Sequence, residues 1–169
     1  IEQYKQIKKR QNKLKMKKIS KRKKTFLIAE AGINHSGSIE DAKKLILLAK
    51  RFNFDAVKFQ KRDLDICIPE AQKNIVKETP WGNITYLEYK KKIELNERQY
   101  EELLRFAKKT KIELFVSCWD TNSLKLVKKF KFKYNKIASA MITNIELLNQ
   151  VAKEKKKTFI STGMSTMKD

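Results

Sequence analysis

The sequence is poor in the residues from which metal sites and disulfides are built. Its 169 residues include one histidine and two cysteines. Cys67 and Cys118 have no cysteine or histidine nearby at the spacing of a metal site, and His35 stands alone. The sequence therefore predicts free thiols and no metal ligands within this chain.

The chain also lacks long apolar runs. No stretch stays apolar over the roughly 20 residues that a membrane-spanning helix needs. The N-terminal residues are rich in lysine where a secretory signal would have an apolar segment. We therefore expect no membrane contact and a cytoplasmic, reducing location, in which the cysteines stay as thiols.

Acidic residues are few relative to basic ones, with 40 Lys and Arg against 19 Asp and Glu, a net charge of +21. Residues 1–24 hold twelve of the basic residues and one acid, so this segment carries +11 and residues 25–169 carry +10. We interpret residues 1–24 as a basic extension, helical or disordered, ahead of a single domain of residues 25–169. Nonspecific contact of the extension with nucleic acid is one interpretation, and a solvated lysine-rich segment is the favoured one.

What the sequence does have is an alternation of short apolar runs with helix-like segments. The predicted strands are Thr25–Glu30, Phe54–Lys58, Ile112–Cys118, Tyr134–Ser139 and Thr158–Thr162. Helix-capping residues precede the four helices between them, at Ser38, Asn96, Asp120 and Asn144. The strands end in polar residues, which is typical of a (β/α)8 TIM barrel, whose chemistry lies at the C-terminal ends of its strands.

The segment is too short for a closed barrel, because eight strands and eight helices take about 250 residues. The sequence therefore predicts an incomplete TIM barrel, about its first five strands and four helices. An open five-stranded sheet of the flavodoxin kind is the structural alternative. The connection between Gln60 and Asn96 is long for this fold, and we expect short helices in it, one beginning at Thr85, and a lid or binding role.

Glu30 and Lys58 are the leading candidates for catalytic residues, because each ends an otherwise apolar strand. Burying a carboxylate there costs several kcal/mol unless it is paired or used. Glu30 is predicted to be an acid/base group, with a salt bridge to Lys58 as the structural alternative. Lys58 either forms a Schiff base with a carbonyl or holds phosphate or carboxylate as a point charge.

Further strand-tip candidates are Lys136, Cys118, Ser139 and Ser161. Lys136 has the same two interpretations as Lys58. Ser139 has the opposite strand parity to Lys136, so both reach one site only if the strand ends near Ala138. A glutamate, two lysines and hydroxyls at one rim predict an enzyme with an anionic substrate.

Six segments resemble, in order and spacing, the N-terminal part of the barrel of the sialic acid synthases of the N-acetylneuraminate synthase type. They are Ile28–His35, Asp55–Gln60, Glu78–Gly82, Ser117–Asp120, Lys136–Ser139 and Ser161–Met164. Each segment by itself is weak evidence for the family, and six segments in the same order are strong evidence. The resemblance covers residues 25–169, and the basic extension has no counterpart in it.

The resemblance implies a transferase of carbohydrate biosynthesis that forms a C–C bond. Its substrates would be phosphoenolpyruvate and an N-acetylated hexosamine aldehyde such as N-acetylmannosamine, and its products a nine-carbon 2-keto sugar acid and phosphate. Glu30 would act as acid/base near the reacting carbons, and Lys58 and Lys136 would hold the phosphate and carboxylate. The same resemblance implies contacts from Gln60, Cys118, Ser139 and Ser161.

The resemblance also implies a divalent metal, Mn or Mg, that activates the aldehyde as a Lewis acid. Its ligands are expected on later strands, beyond Asp169, so we expect this chain to be a fragment that is inactive alone. A homodimer of the full-length protein fits the same resemblance. Two other functions stay open: a Schiff-base aldolase barrel, and a non-catalytic RNA-binding module that depends on residues 1–24.

Overall fold

The computed structural model describes residues 25–168, so the predicted basic extension lies outside the described residues. The strands are β1 Ile28–Gly32, β2 Ala56–Lys61, β3 Val76–Thr79, β4 Gly82–Thr85, β5 Glu113–Cys118, β6 Tyr134–Ile137 and β7 Lys157–Ile160. The helices are α1 Ile39–Arg51, α2 Leu64–Cys67, α3 Glu70–Lys73, α4 Tyr86–Ile93, α5 Glu97–Thr110, α6 Thr121–Lys128 and α7 Ile145–Ala152. Within this range, none of the helices is long and apolar enough to cross a membrane.

Five of the strands form one parallel sheet in the order β1-β2-β5-β6-β7. Each strand of this sheet pairs with the next strand of the same sheet along the chain. A flavodoxin-like sheet would instead place its second strand outside the first. The sequential order therefore confirms the predicted incomplete TIM barrel and rejects the open-sheet alternative.

The predicted helix caps are confirmed, and they fix where the helices begin. The capping side chains accept hydrogen bonds from backbone N–H groups three residues on: Ser38 from Asp41, Asn96 from Gln99, Asp120 from Ser123 and Asn144 from Leu147. Each cap contributes about 0.5–2 kcal/mol to helix stability. All four helices start at the C-terminal ends of the strands, so the caps shape the rim that holds the candidate site.

An aromatic layer fills the interior near the N-terminal ends of the strands. It consists of Phe26, Phe115, Tyr134 and Phe159, whose ring centroids lie 5.3 to 6.3 Å apart. Tyr134 comes two residues before Lys136, and Phe159 two residues before Ser161. Because side chains alternate along a strand, these rings lie on the same face of the sheet as the polar residues at the strand tips.

The long connection after β2 holds the predicted short helices, α2, α3 and α4. Helix α4 is capped by Thr85 and Glu88, each accepting from the other's backbone. The connection also contains an antiparallel hairpin, β3–β4, that the sequence did not predict. Its strands are short and largely exposed, so they lack the apolar alternation that marks a buried strand.

Candidate active site

A cleft of about 340 Å³ opens at the C-terminal ends of the parallel strands. Its lining residues come from all five strand tips and from the turn after β1: Glu30, Gly32, Ile33, Asn34, Lys58, Gln60, Ser117, Trp119, Lys136, Ala138 and Ser161. Five of the seven sequence-predicted site residues are among them: Glu30, Lys58, Gln60, Lys136 and Ser161. No residue of the 61–96 connection lines the cleft, so the lid role stays a prediction.

Glu30 and Lys58 form an ion pair at the centre of the cleft. The Lys58 Nζ lies 2.8 Å from Glu30 Oε1 and 2.7 Å from Oε2, and the two residues are direct partners in the β1–β2 register. Lys58 is only 6% exposed, whereas the Glu30 side chain is 59% exposed. The glutamate therefore compensates the cost of burying the lysine and still faces the cleft, where an anionic ligand would compete with it.

Lys136 provides a second cation beside the first. Its Nζ contacts the Ser161 Oγ as a hydrogen-bond donor. Burial lowers the pKa of Lys136, the nearby positive charge of Lys58 lowers it further, and Glu30 opposes both effects. Two ammonium groups that disfavour each other in one cleft would both be stabilised by a bound phosphate or carboxylate.

A bulge at the end of β1 turns the chain around the Glu30 carboxylate. The β1–β2 register shifts between Glu30 and Gly32. Gly32 has φ +50°, and a Cβ there would lie 3.3 Å from Glu30 Oε1. A side chain at this position would be strained by the backbone and would crowd the carboxylate.

The turn after β1 is held in place by His35, which is 1% exposed. Its Nδ1 accepts a hydrogen bond from the Gly37 N–H at 3.0 Å, and its ring packs on Phe59. Burial lowers the pKa of His35 to about 4, against a weaker opposing hydrogen bond with the Gly32 backbone. A neutral, internally bonded His35 is an anchor of the turn.

Two of the predicted site residues, Cys118 and Ser139, do not line the cleft. Cys118 belongs to the hydrophobic core and does not line the cleft, and burial is the main cause of its raised thiol pKa. Ser139 begins a short 3-10 turn after β6, beside Gly163, where a Cβ would lie 3.7 Å from the serine Oγ. The strand does end before Ala138, yet Ser139 is not among the cleft-lining residues.

Sequence reasoning missed Ser117, the neighbour of Cys118. Ser117 pairs in register with Gln60 on one side and Lys136 on the other, and both of these line the cleft. Residues that are register partners share a face of the sheet, so Ser117 points where they do and Cys118 points away. Trp119 and Asn34 were also missed, because they lie in turns, where no parity rule applies.

The turn after β5 is organised by Asp120, which is 1% exposed. Its carboxylate accepts from the backbone N–H of Ser123 at 2.6 Å and of Asp63 at 2.8 Å, and from the Ser123 hydroxyl. Cys67 lies 3.4 Å from the same carboxylate, and burial together with that negative charge raises its pKa to about 12. Both cysteines are free, as predicted.

The described donors do not fit a divalent metal. Within residues 25–168 no group of three or more His, Cys, Asp and Glu residues is arranged to hold one. In the cleft, Glu30 is the single carboxylate among the lining residues and is paired with Lys58, while the His35 Nδ1 is occupied by Gly37. The expectation of Mn or Mg, with ligands beyond Asp169, remains a prediction.

The fold and the cleft together define a segment of a β/α barrel with a candidate site at its C-terminal rim. The model of the NeuB family matches residues 45–169, and the chain belongs to this family. The family recognised in the sequence is thereby confirmed.

Curated relatives include synthases of several sugar acids. The chain is 37% identical over 147 residues to the N,N'-diacetyllegionaminic acid synthase of Campylobacter jejuni, covering 86% of this chain and 44% of the relative. It is 32% identical over 144 residues to the human N-acetylneuraminate-9-phosphate synthase, covering 84% and 40% respectively. The chain thus spans less than half the length of these relatives.

Among solved structures, the chain is similar to the N-acetylneuraminic acid synthetase of Leptospira borgpetersenii in complex with citrate. The TM-score is 0.73 at 26% identity, over 86% of this chain and 47% of the other. A truncated 3-deoxy-D-arabino-heptulosonate 7-phosphate synthase of Thermotoga maritima gives a TM-score of 0.56 at 14% identity, which shows a shared fold alone. These likenesses agree with a partial barrel.

Proposed function

We propose that this chain supplies the phosphoenolpyruvate-binding part of a sialic-acid-type synthase. The carrying observation is the convergence of Lys58, Lys136 and Ser161 with Glu30 in one rim cleft. The reaction would join phosphoenolpyruvate to an N-acetylated hexosamine aldehyde, consume one water, and release phosphate and a nine-carbon 2-keto sugar acid. Relatives named as synthases of legionaminic, neuraminic and pseudaminic acids support this reaction class.

In this proposal the two lysines neutralise the carboxylate and phosphate of phosphoenolpyruvate. Lys58 approaches the ligand as the ligand displaces Glu30 from its ammonium. Ser161 donates a hydrogen bond from the tip of β7, and a preorganised donor of this kind needs little reorganisation on binding. The Ser117 hydroxyl, which donates to the Lys136 carbonyl oxygen at 3.4 Å, turns to the ligand from the tip of β5. Once released, Glu30 is free to exchange a proton with the reacting carbons or with water.

Binding of phosphoenolpyruvate tests the proposal directly. Isothermal titration of the chain should show binding, and Lys58→Met and Lys136→Met should each weaken it by about ten- to a hundred-fold, since a hydrogen bond to a charged group contributes about 1.5–3 kcal/mol. Lys125→Met, at an exposed position of α6, is the matched control and should bind normally. Equal affinity in all four proteins would refute the proposed site.

Turnover tests the fragment expectation separately. With phosphoenolpyruvate, N-acetylmannosamine and Mn²⁺ supplied, we expect this chain alone to form no 2-keto acid, because the described residues provide no metal site. Product formation by the isolated chain would refute the fragment expectation while leaving the binding proposal intact.

The Schiff-base alternative is favoured by one observation, the lowered pKa of Lys136. A lysine with a lowered pKa offers more of the neutral amine that attacks a carbonyl. Borohydride reduction in the presence of pyruvate, followed by peptide mass spectrometry, should leave Lys136 and Lys58 unmodified in a synthase. A reduced Schiff-base adduct, N-(1-carboxyethyl)lysine, at either residue would establish the aldolase chemistry instead.

A further inference from the structure

The basic charge of residues 25–168 is concentrated at one end of the sheet. The four helix-to-strand connections lie at the N-terminal ends of the strands, opposite the cleft, and we call residues 50–55, 108–113, 128–133 and 153–157 the basic face. These segments contain 13 Lys and Arg and three acids, a net of +10. All other residues between 25 and 168 hold 15 basic and 14 acidic residues, a net of +1. Nearly all of the net positive charge of residues 25–168 therefore lies on the basic face.

The charges of the basic face are available to a partner. Twelve of the 13 basic residues are exposed. Across residues 25–168, three of the 13 form ion pairs: Lys129 with Glu97, and Lys128 and Lys156 with Glu154. The face thus presents many cations without enough acids to neutralise them.

Helix geometry explains part of this charge but not all of it. Lysines in the last turn of a helix, such as Lys50 and Lys108, complement the negative end of the helix dipole. Lys131 and Lys155 lie past the helix ends at φ +52°, in the left-handed region where glycine is favoured. Lys133 and Lys157 lie further along the same two connections. Backbone preferences therefore do not account for these four lysines.

The basic face also contains a concave region of about 860 Å³. Its lining combines five lysines, two acids and four aromatic residues: Lys108, Lys111, Lys129, Lys131, Lys133, Asp55, Glu113, Phe26, Phe130, Phe132 and Tyr134. Of the rings, Phe132 and Tyr134 are buried. Phe26 is 39% exposed. Phe26 is therefore the exposed ring on which a base can stack, and lysines that contact phosphates beside such a ring are usual components of a single-strand nucleic-acid surface.

We propose that the basic face binds nucleic acid through its phosphate backbone, without sequence preference. In the full chain, residues 1–24 add a further net charge of +11, which strengthens the attraction for a polyanion. The positive charge is spread over four connections, so a partner that neutralises it needs many closely spaced negative groups. Nucleic acid has this property, because every phosphate carries a negative charge. The surface lies opposite the cleft, so it is independent of the proposed catalytic site.

The test compares two fourfold variants of the full chain by fluorescence anisotropy with a labelled single-stranded RNA. The face variant carries Lys131→Gln, Lys133→Gln, Lys155→Gln and Lys157→Gln. The control variant removes four exposed charges at the opposite end, by Lys77→Gln, Lys91→Gln, Lys92→Gln and Arg98→Gln. For every lysine–phosphate interaction that a substitution removes, the slope of log affinity against log salt should fall by about 0.7. We therefore expect a smaller slope and weaker binding in the face variant only.

Circular dichroism and phosphoenolpyruvate titration show whether the face variant is folded, since the cleft should be unaffected. If it does not fold, the double variant Lys131→Gln, Lys155→Gln replaces it, with Lys91→Gln, Lys92→Gln as control. Equal weakening in face and control variants, or no weakening in either, would overturn the proposal. Stronger binding to anionic phospholipid vesicles than to RNA would overturn it in favour of a membrane surface.

Discussion

The two ends of the same parallel sheet differ in how they treat charge. At the C-terminal end, the cleft pairs buried Lys58 with the exposed carboxylate of Glu30, and Lys136 donates a hydrogen bond to the neutral Ser161 hydroxyl. At the N-terminal end the interior is aromatic, and the many lysines lie outside on exposed connections. Burial and pairing of charged residues therefore mark the candidate site better than the number of charges does.

The rim depends on close backbone contacts. Substitution of Gly37 tests this dependence and has the largest expected effect on stability. A Cβ at Gly37 would lie 1.9 Å from the Lys92 carbonyl oxygen, and φ is +82°. Gly37→Ala should lower the free energy of unfolding by about 4 kcal/mol or more, the range of exceptional substitutions. Urea titration measures it.

Gly82→Ala is the matched control, since φ is +87° and no atom lies within 4 Å of the new Cβ. It should cost about 1–2 kcal/mol, the left-handed backbone strain alone. Equal effects of the two substitutions would contradict the close packing of the Gly37 turn on α4.

The pH dependence of stability tests the rim anchor His35. Its pKa is about 4 in the folded chain and 6.5 in the unfolded one, so the unfolded state binds more protons between these values. The contribution of His35 to the free energy of unfolding should be fully present above pH 6.5. It should fall by about 3 kcal/mol as the pH drops to 4, at 1.36 kcal/mol per pH unit.

Urea midpoints measured between pH 7 and pH 4 check this, with His35→Asn as comparison. The variant is less stable throughout, and it should lose less stability than the natural chain over that pH range. The same slope in both proteins would exclude His35 as its source.

Substituting the two residues of the central ion pair, Glu30 and Lys58, should cost different amounts of stability. Glu30→Gln leaves the ammonium of Lys58 buried without a counter-charge, and should cost about 1–2 kcal/mol of stability, the penalty of an unsatisfied buried polar group. Lys58→Met leaves a carboxylate that water can reach, so it should cost less. Chemical denaturation of the two variants decides the order.

Lys131→Gln, on the exposed basic face, is the control for the opposite end and should change stability by less than about 0.5 kcal/mol. A cost from Lys131→Gln as large as that from Glu30→Gln would remove the contrast between the two ends.

The smallest expected effect distinguishes two adjacent residues of β5. Ser117→Ala should weaken phosphoenolpyruvate binding by a few-fold, about 1 kcal/mol for one neutral hydrogen bond. Cys118→Ala should leave that affinity unchanged and lower stability by about 1 kcal/mol, because it removes a buried sulfur from the core. Titration calorimetry and urea unfolding separate the two, and the reverse pattern would show that the strand faces are assigned wrongly.

Much of the fold was predictable because its signals are local. Capping residues and apolar runs depend on neighbours a few positions away, so the helices starting after Asn96 and Asp120 were located from the sequence. Hairpin β3–β4 was not, because its exposed strands bury too little to leave a pattern. The choice of Ser117 over Cys118 as the cleft residue was also beyond sequence reasoning, since it depends on register with β2 and β6.

By itself, the sequence determined the β/α repeat, the family, and the polar residues at the strand tips, because these follow from local periodicity and ordered motifs. Tertiary structure alone decided that Lys58 is neutralised by Glu30, that Cys118 faces the core, and that the basic residues gather opposite the cleft. The physical reason is that pairing register and burial arise from contacts between distant segments. Such contacts leave no mark on any short stretch of chain.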